Sequence, residues 1–518
     1  MRRALGLLSC WLLVAVGCGK GLPLSLGDAP ATSASAAPLG PPVFLEDDYP
    51  RAREEALRRE LPLVVFAWSP WCTDCLGLRA YVFNDPALTC IGTRFVWLAL
   101  DVDDPRNAIF WERFPIERTP TLWIIEPERQ RPVFIRNGPL TTPELLLILE
   151  DTEPRARPRP SPIPLASSGA PPPPRPPLTC PGAASASAAP EASSSAPAPP
   201  ASSSSSAPPP LPPPPPPLSP EQLAERRAQE RLLEAELAEF SSGSLGGAEH
   251  AFQEALQAPR RWSRRPRAVD GLHSLLARRA SRRCVEFAAQ ELPSLPPGTF
   301  AASVARRALQ CARREDDKGT ADATMAAAAA LEFIARNPSQ PLLPSFRSNL
   351  YEDLIRHHKH AGDKERALRL TREWLGFLET EAILARTGEQ RRVFDDHKQR
   401  AHLELGTPAE GLPSVARTAA EFPDDYTAHA RLARVLVDLK RWPEALEQAD
   451  RALAGARGQG VPRVALLKAE ALDRLRRHDE ARALLKKTLE QLEKTPLAID
   501  HERLVKELRQ RLAALPER

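Results

Sequence analysis

Residues 63–76 read Leu-Val-Val-Phe-Ala-Trp-Ser-Pro-Trp-Cys-Thr-Asp-Cys-Leu. The first six, Leu63 to Trp68, are an unbroken apolar run of strand length, the pattern of a strand buried on both faces. Ser69-Pro70 interrupts it, and from Cys72 to Phe83 the apolar residues recur at helical spacing. The Cys72/Cys75 pair is therefore expected between the end of a buried strand and the first turn of a helix. That setting separates a redox pair from a chance Cys-x-x-Cys. The free N–H groups and positive end of the helix favour the thiolate of Cys72. Cys75, one turn further in, can reach back to resolve a mixed disulfide. Zinc needs four ligands, and no second Cys-x-x-Cys or Cys/His pair lies nearby, so no metal is assigned. A purely structural disulfide is the bland alternative.

Outward from this stretch the chain alternates helix and strand. Asp48 to Leu61 reads as a charged amphipathic helix, and Phe95 to Leu100 as a second buried strand. Thr121 to Ile125 and Val133 to Ile135 are two short strands, and Thr142 to Glu150 a closing helix. The expectation for residues 43–151 is an α/β unit, a buried sheet with helices on both sides.

Particular residues here resemble the thioredoxin family. Trp68 and Trp71 precede the cysteines, Arg118-Thr119-Pro120-Thr121 is similar to the family's cis-proline loop, and Gly138 follows the last strand. Tyr81-Val82-Phe83-Asn84-Asp85-Pro86, with Phe95 to Asp101 after it, is most similar to the periplasmic thioredoxin-like domain of DsbD-type disulfide reductases. The resemblance implies a thioredoxin-like fold with Cys72 as attacking and Cys75 as resolving thiol. It also implies a substrate groove formed by Trp71, Thr119, Pro120 and Gly138, protein substrates carrying disulfides or thiols, and no cofactor. Three positions depart from the family pattern. Phe66 stands where a buried Asp is common, Leu76 where a basic residue is common, and Asp74 puts a negative charge beside both sulfurs. That charge opposes the thiolate and favours a moderately reducing pair.

The flanks set the context. Arg2 and Arg3, the apolar stretch Leu5 to Val16 and small residues leading into Cys18 have the order of a signal peptide, residues 1–17. The cysteine at the cleavage point resembles a bacterial lipobox, with Ala15 in place of the usual Leu. This implies lipidation at Cys18, a membrane anchor and a place on the periplasmic side of a bacterial cell envelope. Residues 18–42 read as a flexible tether. Residues 152–218 hold 25 of the 57 prolines, a Pro/Ser/Ala-rich segment expected to be a disordered linker with polyproline character. A formal charge of +4 with 26% charged residues gives no reason to expect nucleic acid.

Residues 219–518 read as helical from the capping sequence Ser219-Pro220-Glu221-Gln222 onward. Leu432, Ala433, Ala445 and Ala452 recur as Lys468, Ala469, Ala481 and Thr488, 36 residues on. This resembles the tetratricopeptide repeat (TPR), a helix–turn–helix unit of about 34 residues. A weaker copy surrounds Ala367, with Leu350, Leu354 and Trp374 as packing positions. An all-α TPR-like solenoid follows, binding a protein or peptide on its concave face. Cys284 and Cys311 are either a pair or two core cysteines. Cys90 reads as a small buried hydrophobe, and Cys180 has no evident partner. His357, His358 and His360 read as a solvated helix face, and Arg260, Arg261, Arg264 and Arg265 as solvated helix ends or an acidic-partner patch. The whole reads as an exported thiol–disulfide oxidoreductase with a protein-binding helical half. The alternative is a non-enzymatic scaffold in which the thioredoxin fold only docks.

Overall fold

A computed structural model describes residues 41–156, 218–239, 245–279, 281–314 and 321–516, apart from the side chains of residues 90 and 281. All of them fall within one unit, Gly40–Arg518. The expected signal, tether and most of the linker, with Cys18 and Cys180, lie outside the described residues.

The first part is built on five strands. β1 (Phe44–Glu46) is followed by α1 (Tyr49–Arg59), β2 (Leu63–Trp68), α2 (Thr73–Gly77) and α3 (Thr89–Gly92). β3 (Val96–Asp101), α4 (Ala108–Arg113), β4 (Thr121–Glu126), β5 (Arg131–Asn137) and α5 (Thr142–Ala156) complete it. The sheet order is β1-β3-β2-β4-β5. β3 runs parallel to β1 and β2, and β4 is antiparallel to β2 and β5. β2 is thus the central strand, which is why its sequence is apolar without alternation.

Successive side chains of a strand point to opposite faces, and the core divides accordingly. Leu63, Val65, Ala67, Leu98, Leu100 and Trp123 pack under Ala52 and Ala56 of α1, Phe110 of α4 and Phe114 just after it. Val64, Phe66, Trp97, Leu122, Ile124 and Phe134 face the other way, against α2 and α5. β1 and α4 were not foreseen: β1 is only three residues long, and α4 barely more than one turn. α5 runs to Ala156, past the expected boundary and through Pro154. Thr152, Glu153 and Ala156 are buried, so tertiary packing holds the extra turn.

The second part is helical: α6 (Pro220–Glu239), α7 (Leu245–Ala255), α8 (Arg265–Arg279), α9 (Ser281–Glu291), α10 (Thr299–Ala312), α11 (Ala321–Arg336), α12 (Pro344–His360) and α13 (Lys364–Leu384). α14 (Gly388–Arg392), α15 (Asp395–Glu404), α16 (Pro408–Glu421), α17 (Tyr426–Asp438), α18 (Trp442–Gly455), α19 (Gly460–Arg474), α20 (His478–Lys494) and α21 (His501–Ala513) follow. Four antiparallel pairs turn in the same way. Gly362, Gly406, Lys440 and Arg476 each adopt a left-handed conformation between paired helices. Each is followed by an N–H that reaches back to a carbonyl of the first helix, as from Arg441 to Leu436 (2.8 Å) and from Arg477 to Leu472 (2.9 Å). Ala433, Ala445, Ala452, Ala469, Ala481 and Thr488 are buried between these helices, where small residues permit close approach.

Several local expectations are settled by packing. Cys284 and Cys311 form a disulfide between α9 and α10, with Cα atoms 6.4 Å apart. His358 is buried rather than solvated, because the last turn of α12 folds against its neighbours. Arg264 and Arg265 are paired within the chain, with Asp151 (2.7 Å) and Glu291 (3.0 Å). No helix among the described residues is long and apolar enough to cross a membrane.

The two parts are not separate bodies on a string. Leu343, Phe346, Leu350, Leu354 and Trp374 belong to the same apolar cluster as Cys75, Leu76 and Leu78. Over this length the helices are covered by the sheet part itself. Burial of these apolar side chains drives the contact, each worth roughly 1.5–3 kcal/mol when fully buried.

Candidate functional site

The site begins where β2 ends. The Cys72 N–H donates to the Ser69 carbonyl (3.1 Å), closing a turn that leaves Cys72 extended. Cys72 is then the N-cap of α2, its Sγ accepting from the Cys75 N–H at 3.1 Å. The two cysteines are joined by a disulfide with Cα atoms 5.2 Å apart. Cys72 is 8% exposed and Cys75 fully buried, so only Cys72 offers a sulfur to an incoming group.

The Thr119–Pro120 peptide is cis. Its loop lies beside the cysteine turn, with Ser69 Oγ and Thr119 Oγ1 3.5 Å apart. The Thr121 hydroxyl is 2.6 Å from both the Arg118 carbonyl and Asn137 Oδ1, which pins the loop to β5. The Gly138 N–H donates to the Pro120 carbonyl (2.9 Å), and Gly138 has φ +97°, a conformation that favours glycine. Thr119, Pro120 and Gly138 thus line one cavity of about 270 Å³, together with Asp74 and residues of α8 and α10.

Trp71 lies elsewhere. It lines a second cavity of about 310 Å³, between the cysteine turn and α17 and α19. Trp71 is thus not among the residues that line the cavity of Thr119, Pro120 and Gly138. Trp71 Nε1 donates to Asp103 Oδ2 (2.7 Å), and Asp103 Oδ1 accepts from the backbone of Gln459 (2.8 Å). The Arg463 guanidinium lies 4.5 Å over the Trp71 ring. Gly458, at φ +48°, packs so tightly on Asp103 that a Cβ there would stand 2.5 Å from the Asp103 Cα. Arg457 reaches Asp101 (3.6 Å) and Asp104 (3.4 Å), and Arg431 donates to the Pro70 carbonyl (3.3 Å). Burial pushes the Asp101 carboxyl up to about 7, although the Asp103 N–H opposes the shift. Burial also raises Asp103, against the Gln459 and Trp71 donors.

Asp74 does not lie free beside the sulfurs. Its two oxygens each accept from Asn349 Nδ2 on α12 (2.9 Å). Burial raises its pKa, with the Arg306 charge working the other way. α12 comes this close because position 77 is glycine; a Cβ there would collide with Ser345 Oγ. Phe66 is wholly buried in a cluster with Phe44, Phe83 and Trp97, so the position of the absent acid is filled by ring packing.

Sequence reasoning placed the cysteines, the proline loop and Gly138, but missed Asp101, Asp103, Asn349, Arg457 and Gln459. The acidic run Asp101 to Asp104 at a strand end was the one available signal for the first two. Among the described residues, no group of three or more His, Cys, Asp or Glu side chains could hold a metal ion.

No family model and no curated protein matches the chain. Among solved structures it is similar to a tetratricopeptide repeat protein from Parabacteroides merdae, at 10% identity and a TM-score of 0.35 over 55% of this chain and 99% of that one. It is also similar to yeast Tom70, at 13% identity and a TM-score of 0.32 over 56% of each chain. The TPR2AB domain of yeast Sti1, solved in complex with pHSP90, gives 12% identity and a TM-score of 0.21 over 57% of this chain and 98% of that one.

Proposed function

We propose that the chain is a thioredoxin-type thiol–disulfide oxidoreductase acting through Cys72 and Cys75. The observation that carries this reading is the Cys72–Cys75 disulfide at a strand-to-helix junction, beside the cis Thr119–Pro120 loop. An incoming thiolate attacks Cys72 Sγ, the Cys72–Cys75 bond breaks, and Cys75 leaves as the thiolate. In reverse, the Cys72 thiolate opens a substrate disulfide and Cys75 releases the reduced product. The second disulfide, Cys284–Cys311, supports an oxidising compartment, in keeping with export and anchoring through Cys18.

The burial of the pair under the chain's own helices favours a second reading, in which the sheet part only docks to order the helices. The two readings separate by mass spectrometry of differentially alkylated peptides. Under the first, the pair cycles between dithiol and disulfide across graded dithiothreitol, and the chain reduces a dye-labelled disulfide peptide. That activity is absent in Cys72→Ser, and Cys75→Ser accumulates the mixed disulfide. A pair that cycles but never passes electrons to a peptide leaves the docking reading.

A further inference from the structure

A third cavity, of about 650 Å³, opens at the β5 edge of the sheet, on the face away from the cysteines. Its floor is Phe114, Ile116, Trp123 and Ile135, which belong to the apolar cluster under α1 and α4. Cys72 and Cys75 belong to the cluster on the other face. Pro115, Pro132 and Leu237 of α6 add apolar walls. Close-packed interiors leave few voids larger than a water molecule. Small-molecule pockets run to roughly 300–1,000 Å³ and join an apolar lining to a few polar groups. By size and lining this cavity is of the second kind, and its rim supplies the polar part. Arg129 (3.8 Å) and Arg131 (3.1 Å) share the buried carboxylate of Glu126, and Glu117 is paired with Arg278 (2.9 Å). Arg113 has no hydrogen bond or ion pair among the described residues, and its guanidinium lies over the Phe114 ring, 5.8 Å from the centroid. The rim therefore carries an excess of positive charge, with an unmatched guanidinium beside the apolar floor.

We infer that this cavity is a binding site for a small amphiphilic carboxylate, an acid with an aryl or alkyl body. The body lies on the floor between Phe114 and Trp123, and the carboxylate meets Arg113. A guanidinium recognises a carboxylate through two parallel hydrogen bonds. Covering the floor removes apolar surface from water, which supplies affinity without regard to charge. The end-group then decides between ligands: a cation would face Arg113, Arg129 and Arg131, and a neutral head would leave Arg113 unmatched. Each floor side chain is less than 10% exposed, so the recess admits a slender molecule and not a folded surface. The site makes no use of Cys72 or Cys75 and stands independently of thiol exchange.

The test uses the full oxidised chain and three probes that differ in the end-group: 4-phenylbutyrate, neutral 4-phenylbutan-1-ol and cationic 4-phenylbutylamine. Isothermal titration calorimetry at neutral pH and low salt should give one site. The acid should bind roughly tenfold or more tighter than the alcohol, with the amine weakest. Arg113 is exposed, so Arg113→Gln leaves the fold intact. It should bring the acid to within about twofold of the alcohol and leave the alcohol unchanged. Leu237→Trp fills the recess from α6 and should abolish binding of acid and alcohol alike. Hydrogen exchange should show the acid protecting residues 113–117 and 129–137 but not α20. Should Leu237→Trp not fold, Arg113→Gln and the exchange pattern decide alone. Equal affinities, the amine first, or an acid preference that survives Arg113→Gln overturns the inference. So does protection confined to other residues, or no binding of any probe at millimolar concentration.

Discussion

Replacing Asp101 by Asn should stabilise the chain above neutral pH and not in acid. Asp101 ends β3, opposite Trp68 of the central strand, and is 1% exposed. Burial lifts its carboxyl from the ordinary 3.8 to about 7. An acid raised in the folded chain keeps its proton at pH values where the unfolded chain has lost it. Between about pH 4 and pH 7 folding therefore takes up a proton, and stability falls as pH rises. Above pH 7 the deficit is complete; below pH 4 it is absent. A shift of about three units, at about 1.36 kcal/mol each, sets the deficit near 4 kcal/mol. Asn keeps an oxygen for the Asp103 N–H, which now donates to Asp101 Oδ1 at 3.0 Å. The attraction of the half-exposed Arg457 is already contained in that net shift. The net gain at pH 8 is then about 4 kcal/mol, vanishing as the pH falls past 4, where Asp101 keeps its proton in both states. Urea unfolding followed by tryptophan fluorescence at pH 4, 6 and 8 measures it. An equal gain at all three, or none at pH 8, would refute the burial argument.

Three further changes probe the contacts between the two parts. Asn349→Leu removes the amide that bonds both oxygens of Asp74 and should cost about 1–3 kcal/mol, with hydrogen exchange rising in α2 and α12 but not in α20. Gly77→Ala forces a Cβ against Ser345 and should loosen the same contact at a cost of about 1–3 kcal/mol, seen as faster reduction of Cys72–Cys75 by dithiothreitol. Cys284→Ala opens a disulfide spanning 27 residues and should lower stability by about 3–4 kcal/mol. In dithiothreitol, which also opens Cys72–Cys75, parent and variant should melt at the same temperature.

What the sequence made legible is local. An apolar run, two cysteines three apart, a proline before a strand and a glycine after one each carry their conformation in their own chemistry. The alanines spaced 36 residues apart did the same for the last helix pairs. The junction between the parts was illegible for the opposite reason. Asp74 and Asn349 are 275 residues apart, and Gln459 and Asp103 are 356 apart. Nothing periodic connects such positions. Asp74 therefore read only as a negative charge beside the sulfurs, although its partner is on α12. Trp71 read as part of the proline groove because it adjoins Cys72; its indole N–H turns instead to Asp103.

The order of elements along the chain gives the Asp103–Gln459 contact a further meaning. A chain emerging from its N-terminus completes the five strands and the cysteine turn before α17 and α19 exist, and domains generally fold as they appear. During that interval Asp103 lacks the Gln459 N–H and Trp71 lacks the Arg463 guanidinium, so the junction beside the cysteine turn is completed only when the last third of the chain has emerged.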